Sequence, residues 1–199
     1  MKDITPQIWQ YFEEICLIPR PSKKEEKICA YIRQFADDHQ LTCQQDEAGN
    51  IVIIKQATTG RENLPAVILQ SHVDMVCEKN SDVLHDFETD PIDHYIDGEW
   101  MKARGTTLGA DDGIGIAAIL AVLADTDIEH GKLEALFTVD EETGLTGAKA
   151  LQADFLTGKI LINLDSEDEG ELFIGCAGGI DTVATFQYKH NEIPDNSIA

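Results

Sequence analysis

The sequence predicts an α/β fold, with a mixed sheet and helices on both of its faces in three layers. Three apolar segments of strand length alternate along the chain with helical patterns, as in α/β proteins. These segments are residues 65–71 (PAVILQS), 132–140 (KLEALFTVD) and 159–165 (KILINLD). The first has no polar residue before Gln70, which is typical of a central strand buried on both faces. We therefore expect one domain built around these three strands.

Shorter signals predict the other elements. Thr5 before a proline indicates a helix start, and this helix should run to about Leu17. Ser22 and Glu25 form a capping-box pattern for a second helix that ends near His39. The remaining predicted elements are a strand pair over 41–46 and 50–56, an irregular acidic stretch over 78–98, a short strand over 99–105, a buried helix over 112–125, a short helix over 146–155 and a last strand over 181–190.

The composition is that of a globular and strongly acidic chain. It has 199 residues, of which 37 are acidic and 15 basic, so the formal net charge is −22. A field of this sign repels phosphate groups, which argues against binding to nucleic acid or to an anionic membrane. No apolar run approaches the ~20 residues that span a bilayer. The acidic, amphipathic N-terminal segment does not have the pattern of a secretory signal, and we expect a cytoplasmic protein.

Polar side chains follow each of the three apolar strands. In open α/β sheets, sites form outside the carboxyl ends of the strands, so these side chains should meet at one edge of the sheet. The start of the buried helix adds two more carboxylates. The side chains expected at this edge are His72, Asp74, Asp111, Asp112, Asp140, Glu141, Glu142 and Asp165.

Seven carboxylates beside one imidazole predict a metal centre. Like charges a few ångströms apart cannot all remain ionised without cations. Three ligand carboxylates and one hydroxide would balance the charge of two zinc ions. Imidazole nitrogen and carboxylate oxygen suit zinc, with manganese and cobalt as alternatives, better than they suit calcium. Taken singly, each group has a plainer explanation: a surface pair, two acids that favour a helix dipole, or an acidic turn.

Four motifs, in this order, resemble one known family. They are SHVDMV, GTTLGADDGIG, FTVDEETGLTGA and LINLDSEDEGELFIGCAGG. They are similar to the motifs of the M20 family of metallopeptidases and, within it, of the Xaa-His dipeptidase (aminoacyl-histidine dipeptidase) branch. The resemblance begins at ICLIPRPSKKEEKI and extends through nearly the whole chain. It implies a zinc-dependent exopeptidase fold that hydrolyses dipeptides of the Xaa-His type with two zinc ions.

The resemblance also implies a set of zinc ligands. His72 and Asp165 would bind the first zinc ion, and Glu142 would bind the second. Asp111 would bridge both ions. The family further implies a cis peptide bond after Asp111, a strained bond that is tolerated because it aims the bridging carboxylate.

Two further residues have catalytic roles by the same resemblance. Glu141 would be the general base that takes a proton from the attacking water and passes it to the leaving amine. Asp74 would orient the His72 imidazole through its other ring nitrogen, as metal-bound histidines generally require. Glu141 and Glu142 would then have different tasks, which a turn allows by sending neighbouring side chains in different directions.

Family members are more than twice as long as this chain, and this difference sets the expectations for domains. Residues 1–182 would form the N-terminal part of the catalytic (zinc peptidase) domain, and residues 183–199 would begin the lid or dimerisation domain. The final zinc ligand, a histidine, and the surface that forms a homodimer would lie beyond residue 199. The 199 residues alone would then not hydrolyse dipeptides. The histidines outside the motifs are interpreted as surface residues: His39, His85, His94, His130 and His190.

Two other functions are compatible with the sequence. An amidohydrolase of the same superfamily that acts on N-acyl amino acids would use the same centre, although the GTTLGADDGIG motif favours the dipeptidase. A truncated relative could instead be a non-catalytic metal-binding or assembly module. Assays with Xaa-His dipeptides and with N-acetyl amino acids separate the dipeptidase from the amidohydrolase.

Overall fold

The computed structural model describes residues 3–166, 168, 170–175, 178–180 and 182–188. The chain divides into two compact units, residues 1–167 and residues 168–199. The helices and strands of the described residues all lie in the first unit. The fold given below is that of the first unit.

The strand predicted over 181–190 is not formed by its described part, residues 182–188, and its other positions lie outside the described residues. Val183 and Phe186 are 91% and 80% exposed. A strand needs a neighbour to pair its backbone groups, and among the described residues none pairs with this segment. Apolar residues alone were therefore an insufficient signal.

The described residues form four helices and seven strands. The helices are α1 (Thr5–Cys16), α2 (Glu26–Asp38), α3 (Ala110–Ala124) and α4 (Thr146–Ala150). The strands are β1 (Thr42–Gln45), β2 (Ile51–Lys55), β3 (Val67–His72), β4 (His94–Asp97), β5 (Trp100–Ala103), β6 (Leu133–Thr138) and β7 (Ile160–Asn163).

Five strands form one mixed sheet in the order β1-β2-β6-β3-β7. β3 is parallel to both β6 and β7, whereas β2 is antiparallel to β1 and β6. β3 therefore has a neighbour on each side, as predicted for a central strand. β4 and β5 form a separate antiparallel hairpin. The predicted α/β fold with a mixed sheet is confirmed.

Both faces of the sheet are covered. Ile51, Ile53 and Phe137 join side chains of α1, α2 and α3 in one hydrophobic core. Val52 and Leu136 point to the opposite face, because side chains alternate along a strand, and they are also fully buried. α3 is buried along most of its length, as its apolar sequence predicts. None of the helices in the described part of the chain is long and apolar enough to cross a membrane.

The Ser22–Glu25 pattern is not a capping box, contrary to the prediction. α2 begins at Glu26, and no side chain caps its N-terminus. The Ser22 hydroxyl instead donates to Asp74 (2.7 Å), and the Glu25 carboxylate accepts from the backbone N–H of Asp140 (3.0 Å). Long-range hydrogen bonds thus use the two side chains that the local pattern assigns to the helix.

Two further local predictions were wrong. The stretch 78–98 is not irregular throughout, because its last residues form β4 and pair with β5. His130 is not a surface residue: it is 8% exposed, and its Nδ1 lies 2.7 Å from the carbonyl oxygen of Gly131. His39 is exposed and His85 and His94 are partly exposed. His190 lies outside the described residues.

Candidate metal centre

The carboxyl ends of three parallel strands lie at one edge of the sheet. β3 ends at His72 and runs parallel to β6 and β7, which end at Thr138 and Asn163. Five of the predicted acidic residues follow within a few positions of these strand ends, and Asp111 and Asp112 lie at the start of α3. The expectation that the three strand ends share one edge is therefore confirmed.

His72 lies at the centre of this edge and is 1% exposed. Its Nδ1 lies 3.2 Å from Asp74 Oδ1, and its Nε2 lies 2.9 Å from Asp111 Oδ1. The same Nε2 lies 4.0 Å from Asp165 Oδ1. Burial alone would lower the pKa of the imidazole, but the hydrogen bonds with Asp74 and Asp111 raise it to about 9. Without a metal, the ring is therefore protonated and donates one N–H to each of these carboxylates.

Asp74 is fully buried and accepts four hydrogen bonds. Its Oδ1 accepts from the His72 ring (3.2 Å) and from the backbone N–H of Glu141 (3.0 Å). Its Oδ2 accepts from the Ser22 hydroxyl (2.7 Å) and from the backbone N–H of Glu142 (3.2 Å). Burial would raise the pKa of this carboxyl, but the hydrogen bonds lower it to about 2. Asp74 thus stays ionised and ties the turn after β6 to the end of β3.

We expect Asp74→Asn to weaken metal binding by about 10–100-fold, the usual effect of losing a partner that orients a metal-bound histidine. An amide has one acceptor oxygen where the carboxylate has two. Its NH₂ group would therefore face two donors, the Ser22 hydroxyl and the Glu142 N–H. The measurement is metal affinity by competition with a chelator.

The matched control is Ser22→Ala, which removes a single hydrogen bond from the same carboxylate. This variant should lose less affinity than Asp74→Asn. If Asp74→Asn binds metal as tightly as the wild type, Asp74 is an ordinary loop residue.

Asp111 and Asp112 are neighbours at the start of α3 but lie in different surroundings. The peptide bond between them is cis, as the family resemblance implies. The Asp111 side chain is half exposed and bonds to His72, whereas Asp112 is buried. The Asp112 carbonyl oxygen accepts from the Ser71 hydroxyl (3.1 Å). Burial raises the pKa of the Asp112 carboxyl to about 7, against the opposing charge of His72.

The turn after β6 brings Glu141 and Glu142 to the same edge. Asp140 has a positive φ of 51°, a conformation that few residues other than glycine adopt. Its backbone N–H donates to Glu25 (3.0 Å), and its carboxylate accepts from the Thr143 hydroxyl (2.6 Å). These bonds fix the backbone at Asp140, so the next two residues are held against the end of β3.

Two groups of potential ligand atoms share His72. Ligand atoms of His72, Asp111 and Asp165 lie within 4.8 Å of one another, and so do those of His72, Glu141 and Glu142. Asp111 and Glu142 also line one cavity of about 270 Å³. The structure therefore brings the predicted ligands and the predicted base together, and their individual roles remain predictions.

A third acidic group has a different character. Glu25, Asp74 and Asp140 are all buried and also lie within 4.8 Å of one another. Each of them accepts hydrogen bonds from backbone N–H or hydroxyl groups of the protein. This group supports the loops that carry the candidate ligands.

The residues at this edge fit a divalent metal centre. In the part of the chain that the structure describes, Glu142 Oε1 and Asp112 Oδ2 are buried without a hydrogen-bond partner. Burial and the nearby charge of Asp111 raise the pKa values of the Glu142 and Asp165 carboxyls, so the carboxylates are crowded. A cation would relieve this crowding. One imidazole nitrogen with several carboxylate oxygens is a donor set that zinc accepts.

Metal affinity should depend on pH through His72. A metal must displace a proton from the His72 ring, whose pKa, despite burial, is raised to about 9 by the hydrogen bonds with Asp74 and Asp111. The proton therefore competes at every lower pH, and the apparent association constant should rise about tenfold per pH unit between about pH 7 and pH 8.5. Competition titrations at several pH values measure this slope. Affinity that does not change with pH would mean that the metal does not bind His72.

Sequence reasoning missed several residues that hold the site in place, among them Ser22, Glu25 and Asn50. Asn50 Oδ1 accepts from the backbone N–H of Val139 (3.1 Å), and its Nδ2 donates to the carbonyl of Gly147 (2.9 Å), so it fixes both ends of the turn after β6. For Ser22 and Glu25 the available signal was the segment ICLIPRPSKKEEKI. This segment belongs to the family resemblance, but its local pattern predicts only the end of one helix and the start of the next.

Known proteins that are similar to this chain are peptidases. The sequence is 51% identical over 195 residues to the cytosol non-specific dipeptidase of Escherichia coli (strain K12), covering 98% of this chain and 40% of that protein. Among solved structures, aminoacylhistidine dipeptidase from Vibrio alginolyticus matches with a TM-score of 0.82 and 52% identity, over 85% of this chain and 35% of that one. Aminopeptidase PepT from Bacillus cereus ATCC 10987 matches with a TM-score of 0.71 and 26% identity, over 82% of this chain and 44% of that one.

The chain thus spans less than half the length of each of these three proteins. The model of peptidase family M20/M25/M40 matches residues 68–188. This range holds His72, the start of α3, the turn after β6 and the end of β7. The motifs, the fold and this match together show that the chain belongs to peptidase family M20/M25/M40.

Proposed function

We propose that the complete gene product that contains this chain, here called the complete protein, hydrolyses dipeptides at a centre of two zinc ions. The observation that carries this proposal is the position of His72 in two groups of potential ligand atoms, one with Asp111 and Asp165 and one with Glu141 and Glu142. The family membership and the names of the similar dipeptidases support it.

In this proposal His72 and Asp165 would hold one zinc ion, Glu142 would hold the other, and Asp111 would contribute to both sites. The final histidine ligand, which the resemblance places outside these 199 residues, is part of the same proposal. Bound zinc would polarise the substrate carbonyl and lower the pKa of a water molecule.

Glu141 would act on the proton of the attacking water. Its backbone N–H is held by Asp74 (3.0 Å), which fixes the start of the side chain beside the metal ligands. Its carboxylate would accept the proton and donate it to the leaving amine. Asp74 would keep the His72 ring oriented, because it accepts the hydrogen of Nδ1 and leaves Nε2 directed at the carboxylates of Asp111 and Asp165.

Activity assays on the complete protein test the substrate class. Three sets of substrates are compared: Xaa-His dipeptides, dipeptides without histidine, and N-acetyl amino acids. We expect hydrolysis of dipeptides, loss of activity after dialysis against a chelator, and recovery when zinc is restored. Turnover of N-acetyl amino acids without turnover of dipeptides would make the protein an amidohydrolase. Metal binding without any turnover would make it a non-catalytic module.

We also propose that the complete protein is a cytoplasmic homodimer that dimerises through a lid domain beginning near residue 183. The relative from Escherichia coli is named a cytosol dipeptidase, which supports the proposed compartment. Light scattering on the complete protein measures the oligomeric state directly.

A further inference from the structure

Arg20 is a buried cation that lies between two loops of the candidate metal centre. It is 2% exposed. Its Nη1 donates to the carbonyl oxygens of Val73 (2.9 Å) and Asp74 (2.7 Å), and its Nη2 donates to the carbonyl oxygen of Gly109. One planar guanidinium group therefore binds three backbone carbonyl oxygens, each of which lies at least 53 residues from Arg20 in the sequence.

These carbonyls belong to the segments that carry the candidate ligands. Val73 and Asp74 directly follow His72 at the end of β3. Gly109 lies two residues before Asp111. The guanidinium thus joins the His72 segment to the Asp111 segment behind the face on which their side chains meet at 2.9 Å.

The backbone next to Arg20 reinforces this arrangement. The carbonyl oxygen of Arg20 accepts from the backbone N–H of Met75 (3.2 Å). Two residues later, the Ser22 hydroxyl donates to the Asp74 carboxylate. The segment 20–22 therefore runs along the metal-site loop and contacts both its backbone and its side chains.

Two glycines allow the start of α3 to approach the guanidinium closely. A Cβ atom at Gly109 would lie 2.6 Å from Arg20 Nη2 and 2.8 Å from Met75 Sδ. A Cβ atom at Gly113 would lie 2.7 Å from the same Nη2 and 3.1 Å from a ring carbon of Phe12. Because neither glycine has a side chain, the guanidinium group of Arg20 can occupy the space beside the start of α3.

Arg20 differs from a surface cation in its partners. Among the described residues, no carboxylate oxygen lies within 4.0 Å of its side-chain nitrogens. A guanidinium presents its N–H donors in a rigid plane, which allows Nη1 and Nη2 to bind separate loops. A lysine ammonium is a single point of charge, so it cannot reach the Val73–Asp74 carbonyls and the Gly109 carbonyl at once.

On the basis of the metal centre proposed above, we propose that Arg20 is a positioning residue that sets the separation of His72 and Asp111 by holding the backbone behind both. The role of Arg20 depends on the ability of its two Nη atoms to reach separate loops and not on its charge alone. Arg20→Lys keeps the charge and can keep the bonds to Val73 and Asp74, but it releases Gly109. Arg20→Met removes the charge and all three bonds.

The test uses cobalt as the probe in the metal-free complete protein. Cobalt affinity is measured by competition with a chelator. The visible absorption of the bound ion reports its coordination geometry, and urea unfolding of the metal-free protein reports stability. We expect Arg20→Lys to weaken cobalt binding by at least about tenfold and to change the absorption bands, in the range seen when groups that orient ligands are lost. Arg20→Met should weaken cobalt binding further and change the absorption bands more.

Lys55→Met is the matched control. Lys55 is also a partly buried cation that binds carbonyl oxygens, those of Val122 (3.3 Å) and Asp125 (2.5 Å), but at the other end of α3. The Lys55→Met variant should have a lower free energy of unfolding than the wild type, with an unchanged cobalt spectrum and affinity. This comparison separates a loss of general stability from a loss of ligand position.

Each outcome supports or overturns the role of Arg20. A folded Arg20→Lys variant with wild-type cobalt affinity and spectrum would overturn it, and so would an affinity loss no larger than that of Lys55→Met. If Arg20→Lys does not fold, Gly113→Ala replaces it, because the new Cβ displaces the guanidinium with its charge retained. Wild-type affinity in that variant would also overturn the role. If the wild-type protein binds no cobalt, the metal centre itself is wrong.

Discussion

Glu141→Gln in the complete protein is expected to lower kcat for dipeptide hydrolysis by about 10²–10⁴-fold, the usual contribution of a general base. The amide has nearly the same shape as the carboxylate but cannot accept the proton. The backbone N–H of Glu141 keeps its bond to Asp74, so the turn should not move. Steady-state kinetics and elemental analysis of the same preparation measure turnover and metal content together, and the metal content should remain that of the wild type.

Glu142→Gln provides the contrast to this variant. Glu142 has a buried oxygen that lacks a donor in the described part of the chain, and its proposed task is to hold the second zinc ion. This variant should therefore lose metal. If Glu141→Gln loses metal and Glu142→Gln keeps it, the roles of the two glutamates have been exchanged.

Glu134→Gln is the matched control for both glutamates. Glu134 is a buried glutamate at the opposite end of β6, where it accepts from the backbone N–H groups of Thr157 (2.8 Å) and Gly158 (2.9 Å). Its loss should lower the free energy of unfolding but should leave the turnover of the folded protein unchanged.

His72→Gln is expected to weaken metal binding at the first zinc site strongly, because it removes a direct ligand of that ion. The Nδ1 atom of His72 bonds to Asp74 (3.2 Å), so only Nε2 is free to bind a metal, and the variant removes one proposed ligand of the first zinc ion. The loss of affinity should exceed the ~10–100-fold effect of removing a partner that orients a ligand. The glutamine amide reaches about as far as Nε2, but an amide is not among the usual ligands of zinc. The measurement is metal content by elemental analysis after gel filtration.

His130→Gln is the control for His72→Gln. His130 is the other buried histidine among the described residues, and its ring bonds to the carbonyl of Gly131 (2.7 Å). This variant should keep its metal ions. Equal metal content in His72→Gln and His130→Gln would remove His72 from the ligand set.

The positions of the candidate ligands could be predicted because one general rule places them. Parallel strands bring their carboxyl ends to one edge, so His72 and Asp165, which follow different strands, had to lie near each other. The start of the apolar α3 added Asp111 to the same place. Short motifs were sufficient for this prediction because each candidate ligand lies at or next to the end of a strong element.

The residues that hold these ligands in place could not be predicted in the same way. Ser22 and Glu25 have the spacing of a helix cap, but their partners are Asp74 and Asp140, which lie 52 and 115 residues away. Arg20 stands in a helix-breaking segment between two prolines, and nothing in that local pattern indicates a buried cation. Their roles depend on long-range approach of the backbone, which sequence spacing does not record.

The pairing of strands also depends on long-range contacts. β4 has the sequence HYID, without a clear alternation of apolar residues, yet it pairs with β5 across a tight turn. Residues 182–188 have more apolar side chains but form no strand in the structure. β4 thus has a partner strand in β5, whereas among the described residues no strand pairs with 182–188.

A crystal structure of the zinc-loaded complete protein, with anomalous data collected on both sides of the zinc absorption edge, tests the central claim most directly. We expect two anomalous peaks at the edge of the sheet where β3, β6 and β7 end. One should lie between His72 and Asp165 and the other beside Glu142, with Asp111 in contact with both and Glu141 in contact with neither. A single peak, peaks away from His72, or a peak that Glu141 ligates would contradict the assignment of these residues.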